Sequence, residues 1–142
     1  MSSAENKSII QRLVEGLNDK DPSIIDAVYS TKYVGHDPDR PTGSRGIEDM
    51  RQVMAVVHGK VFPDAHYMTE ALVAEGDMVV WHWLFRATHS AELQGILAIG
   101  KKVAFGGVNI FRLANGKIVE DWVYRDSVGL MRQLGALPAP GR

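Results

Sequence analysis

The apolar residues of this chain change their spacing once, and that change limits the fold more than any other feature. Up to His58 they recur every third or fourth position, the period of an amphipathic helix. Ile9, Ile10, Leu13, Val14 and Leu17 place a first helix over Ala4 to Leu17. Asp21 caps a second short helix with Pro22 in its first turn and Ile24, Ile25 and Val28 as its buried side. Ile47, Met50, Met54 and Val57 define a third helix from Ile47 to His58, with Gly59 as its stop. From His66 onward the period is two. His66 to Ala74, Met78 to His89, Lys101 to Leu113 and Lys117 to Arg125 read as strands, joined by turns at Glu75-Gly76-Asp77 and Ala114-Asn115-Gly116. Asp126 or Ser127 caps a closing helix to about Leu134, which Gly135 ends, and the tail from Pro138 to Arg142 is expected to fray. The Pro- and Gly-rich stretch Tyr33 to Gly46 reads as a long loop of the kind that borders sites. Helices followed by an antiparallel meander imply an α+β fold in one domain, 1–142, with the helices on one face of a curved sheet.

The composition removes several function classes. There is no cysteine, which excludes disulfides, a thiolate nucleophile and Cys-ligated metal or iron–sulfur sites. The net charge is -1 and the only basic doublet is Lys101-Lys102, so nucleic acid is not an expected partner. No apolar stretch approaches the roughly 18 residues that span a bilayer, and Met1 to Lys20 lacks the order of a signal peptide, so the expected address is the cytoplasm and no membrane partner is expected. Neither a His-x-x-x-His ligand pair, nor a Gly-x-Ser-x-Gly elbow, nor a phosphate loop is present, and no metal is expected.

Strand parity sorts the side chains. On the strand from Met78, residues Val79, Trp81, Trp83, Phe85, Ala87 and His89 share one face. Gly107, Asn109 and Phe111 share a face of the next strand, and Asp121 and Val123 a face of the last. These surfaces should turn toward the helix Ile47 to His58 and enclose a pocket. The opposite face collects Met78, Val80, Leu84, Val108, Ile110, Trp122 and Tyr124, interrupted by His82, Arg86, Arg112 and Glu120. That is more exposed apolar surface than a monomer usually carries, and a homodimer through this face is expected, with Trp122 as anchor.

The ordered set Tyr33-Val34-Gly35-His36-Asp37-Pro38, Phe62-Pro63-Asp64, Ala87-Thr88-His89 with Gly95-Ile96, and Asn115-Gly116-Lys117-Ile118-Val119-Glu120 followed by Trp122, Asp126 and Gln133-Leu134-Gly135 resembles the SnoaL-like polyketide cyclases. The resemblance covers nearly the whole chain. It implies the cone-shaped barrel of the nuclear transport factor 2-like superfamily, a deep apolar pocket, and action without metal or organic cofactor. Aldol cyclases of that family use an aspartate on the last strand, and its position falls at Val123 here. Their pocket histidine and glutamine fall at Asn109 and Gly107, and an early-loop asparagine falls at Gly35. Leu97-Ala98-Ile99 stands in place of the usual Pro-Pro-Thr. The resemblance thus carries the fold and the pocket but not the cyclase mechanism.

Three residues are candidates for chemistry. Asp121 is either a general acid or base activated by an apolar pocket, or a wall carboxylate bonded to a neighbour. In the first case Asp121→Asn should remove most activity and spare the fold. His36 either faces Asp121 across the pocket mouth and relays a proton, or anchors its loop. Asn109 either binds a substrate carbonyl or enolate oxygen, or satisfies a buried partner. Tyr33, Met50, Met54, Trp83, Phe85, Phe111 and Val123 are the expected pocket walls. Two functions remain open: a cofactor-independent enzyme moving a proton on a small apolar carbonyl or hydroxyl compound (cyclase, isomerase or hydratase), or a non-catalytic carrier of an apolar small molecule.

Overall fold

The computed structural model describes residues 2–138, so the tail beyond Pro138 lies outside it. Helix α1 (Ser3–Asn18) opens on a reciprocal cap: Ser2 Oγ accepts the Glu5 amide at 3.1 Å and the Glu5 carboxylate accepts the Ser2 amide at 3.2 Å. Its stripe Ile9, Ile10, Leu13 and Leu17 is buried. Helix α2 (Ser23–Val28) follows a turn in which Asp21 accepts the Ser23 amide.

From Tyr29 the chain is extended, which corrects the reading of Tyr33 to Gly46 as a loop. Strand β1 (Tyr29–His36) and the short β2 (Ser44–Arg45) occupy much of it. Pro38 and Pro41 lie only in the turn between them, and β1 is a strand because it pairs in parallel with a segment near the far end of the sequence. Helix α3 (Ile47–Gln52) then widens into a π-helical segment, Val53–Val61, in which the Phe62 amide reaches back to the Val57 carbonyl at 2.7 Å. Gly59 lies inside this segment and does not stop it.

The remaining strands are β3 (His66–Glu75), β4 (Met78–Thr88), β5 (Lys102–Ala114) and β6 (Lys117–Arg125), before the closing helix α4 (Ser127–Gln133). The sheet order is β2-β1-β6-β5-β4-β3, and only β1 and β6 run parallel. The β5–β6 hairpin turns at Asn115 and Gly116, both with positive φ (51° and 77°), as a tight primed turn demands. Irregular register at Thr69/Ala71 and at Arg112/Leu113 accompanies the curvature of the sheet. The inner face carries Val79, Trp81, Trp83, Phe85, Phe111, Ile118 and Val123, all buried against the helices. Each large apolar side chain so removed from water contributes about 1.5–3 kcal/mol. Among the described residues no helix is long and apolar enough to cross a membrane.

Candidate functional site

The π segment and the inner sheet face do not close on each other completely. They leave a cavity of about 270 Å³ whose aromatic walls are Trp81, Trp83, Phe85, Phe105 and Phe111. Of the residues the sequence singles out, Met50, Trp83, Phe85, Asn109, Phe111 and Val123 line it. Met54 is buried in the helix–sheet core away from the cavity. Tyr33 and Asp121 stand behind the cavity wall.

Asp121 is fully buried and saturated with donors. Its Oδ1 accepts the Tyr33 hydroxyl at 2.5 Å, and its Oδ2 accepts Arg45 Nη2 at 2.9 Å and Asn109 Nδ2 at 3.1 Å. Arg45, only 8% exposed, also donates through Nε to the Tyr33 oxygen at 2.9 Å. Burial works against the Arg45 charge, but the Asp121 carboxylate and the Tyr33 oxygen outweigh it and hold Arg45 above the usual arginine range. Burial likewise pushes the Tyr33 hydroxyl far up, helped by Tyr29, so it stays a neutral donor. Of the two roles that the sequence left open for Asp121, the geometry is that of a carboxylate bonded to its neighbours, with Arg45 as countercharge.

Asn109 connects this network to the cavity. Its Oδ1 accepts Trp83 Nε1 at 2.9 Å, which fixes the orientation of the amide and directs Nδ2 to Asp121. One Nδ2 proton is then committed to Asp121 and the second is free for a ligand oxygen.

Two glycines make room for these arrangements. Gly107 is the cross-strand partner of Trp83, and a Cβ there would lie 2.3–2.9 Å from the atoms of the indole ring. A Cβ on Gly35 would lie 2.1 Å from the Tyr33 hydroxyl and 2.7 Å from Asp121 Oδ1. Trp83 and the Tyr33 hydroxyl thus fill the space over Gly107 and Gly35. Gly107→Ala should displace the indole, break its bond to Asn109 and destabilise the fold by about 1–3 kcal/mol, the usual cost of overpacking a core. Urea unfolding with near-ultraviolet circular dichroism would measure both effects.

His36 does not face Asp121. In the β1–β6 register Gly35 is opposite Asp121 and His36 opposite Trp122, so strand parity sends the imidazole to the outer face. There His36 stacks on Trp122 with ring centroids 5.2 Å apart, and its Nε2 lies 2.7 Å from Glu120 Oε2. The proposed His36–Asp121 relay has no geometry to support it.

Other polar residues reach the cavity that the sequence reading passed over. Asp37 accepts the Asp39 amide at 3.0 Å, and it also takes both Arg125 Nη atoms, at 3.0 and 3.1 Å. Burial pulls its carboxyl upward, yet Arg125 prevails and holds it below the usual carboxylate range. His58, 4% exposed on the π segment, pairs its Nε2 with the Tyr67 hydroxyl at 2.8 Å, and both residues line the cavity. Spacing could have found His58, which stands four residues after Met54 on the same helix face. Arg45 had no such signal, because a two-residue edge strand shows no period. Among the described residues no cluster of three or more His, Asp or Glu side chains could hold a metal ion.

A family model of SnoaL-like polyketide cyclases matches residues 7–134. Among solved structures, AclR from Streptomyces galilaeus, a proposed hydroxylase, superposes with a TM-score of 0.88 at 30% identity, covering 99% of this chain and 87% of that one. TsrD from Streptomyces laurentii gives 0.84 at 29% identity, covering 96% and 99%. IdmH from Streptomyces antibioticus, a proposed polyketide cyclase, gives 0.79 at 28% identity, covering 92% and 98%. No curated protein sequence matches.

Proposed function

Because the chain belongs to the SnoaL-like polyketide cyclase family and has its nuclear transport factor 2-like fold, we propose that it is a cofactor-independent enzyme moving a proton on a small apolar carbonyl or hydroxyl compound, by cyclisation, isomerisation or hydration. The observation that carries this reading is the aromatic cavity with one oriented amide in its wall. A small, mostly apolar ligand suits such a cavity. The free Asn109 proton meets its oxygen and stabilises the negative charge that grows there when an adjacent carbon loses a proton. Asp121, with Arg45 and Tyr33, acts from behind as the group that fixes the amide. Val123, which the resemblance puts where aldol cyclases carry their aspartate, is a carbon wall, so the carbon-bound proton leaves elsewhere. Asp37 is the buried carboxylate on the cavity.

One observation favours the second reading, a carrier of an apolar small molecule: the buried carboxylates Asp37 and Asp121 are both already engaged by arginine, and Arg125 holds the Asp37 carboxyl below the usual carboxylate range. Incubation with 2-acetylnaphthalene in deuterium oxide separates the two. Protein-dependent deuteration of the methyl group, read by proton resonance, is expected for the enzyme. Binding without exchange above the buffer rate points to the carrier.

The outer sheet face supports a homodimer. Among the described residues no helix covers it, Val80 and Tyr124 are exposed, and Trp122 lies half-buried against His36. Light scattering at micromolar concentration should give the mass of two chains. Trp122→Ala should shift the protein toward monomer without unfolding it, because aromatic anchors dominate such interfaces.

A further inference from the structure

We infer that the Tyr67 hydroxyl, aimed by His58, is a second hydrogen-bond donor to the ligand in this cavity, so that the site selects small, mostly apolar molecules with an acceptor oxygen. The inference rests on the cavity being the ligand site, as proposed above, and deepens it. It starts from an orphan atom. His58 Nδ1 is buried and has no hydrogen-bond partner among the described residues. A buried N–H without an acceptor is costlier and rarer than a buried lone pair without a donor. With the imidazole proton on Nε2, Nε2 donates to the Tyr67 oxygen 2.8 Å away, and the donor left without a partner is the Tyr67 hydroxyl on the cavity, where a ligand can meet it, instead of an N–H sealed at Nδ1. With its oxygen accepting from His58, Tyr67 must direct its own proton elsewhere. Among the described residues no acceptor takes that proton.

The surroundings of the hydroxyl point the same way. The Tyr67 ring is wedged among Trp81, Trp83 and Phe85, with centroids 5.1–5.3 Å apart, so its position is fixed by packing. The backbone is fixed as well: the Tyr67 amide donates to Asn18 Oδ1 at 2.8 Å and its carbonyl accepts Asn18 Nδ2 at 3.0 Å. Burial pushes the hydroxyl up to about 12, with the Arg125 and Arg45 charges acting against that rise, so Tyr67 is a neutral donor in the cavity that these two arginines also line. Burial, helped by the Lys20 charge, holds His58 down to about 4, so at neutral pH it is an uncharged donor. The π-helical turn that carries His58 is itself a rare conformation, found most often where a side chain must be re-aimed at a site. Tyr67 would touch the ligand; His58 acts through it and is a positioning residue.

The test compares two probes of one shape, 2-acetylnaphthalene with its acceptor oxygen and 2-isopropenylnaphthalene, which has a methylene group in its place. Dissociation constants are measured by fluorescence for the wild type and for Tyr67→Phe, His58→Leu, His58→Gln and Asn109→Leu. The wild type should prefer the ketone. Tyr67→Phe should reduce that preference about five- to tenfold, the share of one neutral hydrogen bond, and leave the alkene affinity unchanged. His58→Leu should reproduce this loss with Tyr67 still present, and His58→Gln, which retains an N–H donor, should restore most of the preference. An unchanged alkene affinity shows in each case that the cavity is intact. If Tyr67→Phe keeps the full ketone preference while Asn109→Leu removes it, the inference is overturned and the proposed site stands. A wild-type protein that binds neither probe, or both alike, overturns both.

Discussion

Arg45→Met should destabilise the protein by about 3–5 kcal/mol, and Asp121→Asn by a similar amount, because each leaves one charge of a buried pair without its partner. Against a total stability of about 5–15 kcal/mol, either loss removes a large fraction of what holds the domain together. The geometry leaves little room for rescue. Without Asp121 the Arg45 guanidinium keeps only Asp37, at 3.7 Å, and the Tyr33 oxygen, in a position just 8% exposed. Without Arg45 the carboxylate keeps the Tyr33 and Asn109 donors but no countercharge. The double variant Arg45→Met/Asp121→Leu should be more stable than either single one, since an apolar pair of similar volume costs nothing to desolvate. Urea midpoints of the four proteins form the cycle. This revises the expectation that Asp121→Asn would spare the fold: any activity lost in that variant must be measured at a temperature where it is shown to be folded.

Acidification should cost about 3 kcal/mol between pH 7 and pH 4, and His58 should be the main reason. Its ordinary value is 6.5, and in the fold burial, with the Lys20 charge, holds it down to about 4. Between those values the unfolded chain binds a proton that the native state refuses. Stability therefore rises with pH across the window, is complete above 6.5, and is lost as pH falls toward 4. His58→Gln should flatten the slope from pH 6.5 to 4. Below that window Asp37 adds its own term: Arg125 overcomes the effect of burial and holds its carboxyl below 3.8, so its protonation costs further stability in stronger acid. Denaturant titrations at half-unit pH steps, wild type against His58→Gln, would show whether the slope belongs to this one residue.

How much of this could be read from the sequence depended on how far apart the interacting residues lie. Strands β3 to β6 were legible because alternation is a local signal and each pairs with its neighbour in the chain. The inner placement of Trp83, Asn109, Asp121 and Val123 followed from the same parity. Strand β1 was not legible, because its partner is β6 and nothing within Tyr29 to His36 announces a parallel pairing to the far end of the chain. That one omission bears on two residues. It left open a His36 turned toward Asp121, when a single step of parity puts it beside Trp122 on the outer face, and it left Arg45 in a loop, when it is the countercharge of Asp121. The π segment was hidden for a different reason. Its widened register over Val53–Val61 follows no 3.6-residue period, and its consequence, His58 turned onto Tyr67, appears only in three dimensions. Gly107 and Gly35 looked like losses of family side chains; they are the spaces that Trp83 and the Tyr33 hydroxyl require.

The proposed ligand, a small carbonyl compound, binds on the inner face of the sheet, against the Trp83–Asn109 wall. The protein carries its own reporters, three tryptophans of which Trp81 and Trp83 line the cavity while Trp122 lies on the outer face. Titration of 15N-labelled protein with 2-acetylnaphthalene, followed through the three indole N–H resonances, reads all of them at once. The Trp83 indole, which donates to Asn109, should shift most, Trp81 should shift with it, and Trp122 should stay where it is. Saturable shifts confined to Trp122, or no saturable shift of Trp81 and Trp83, would contradict the account.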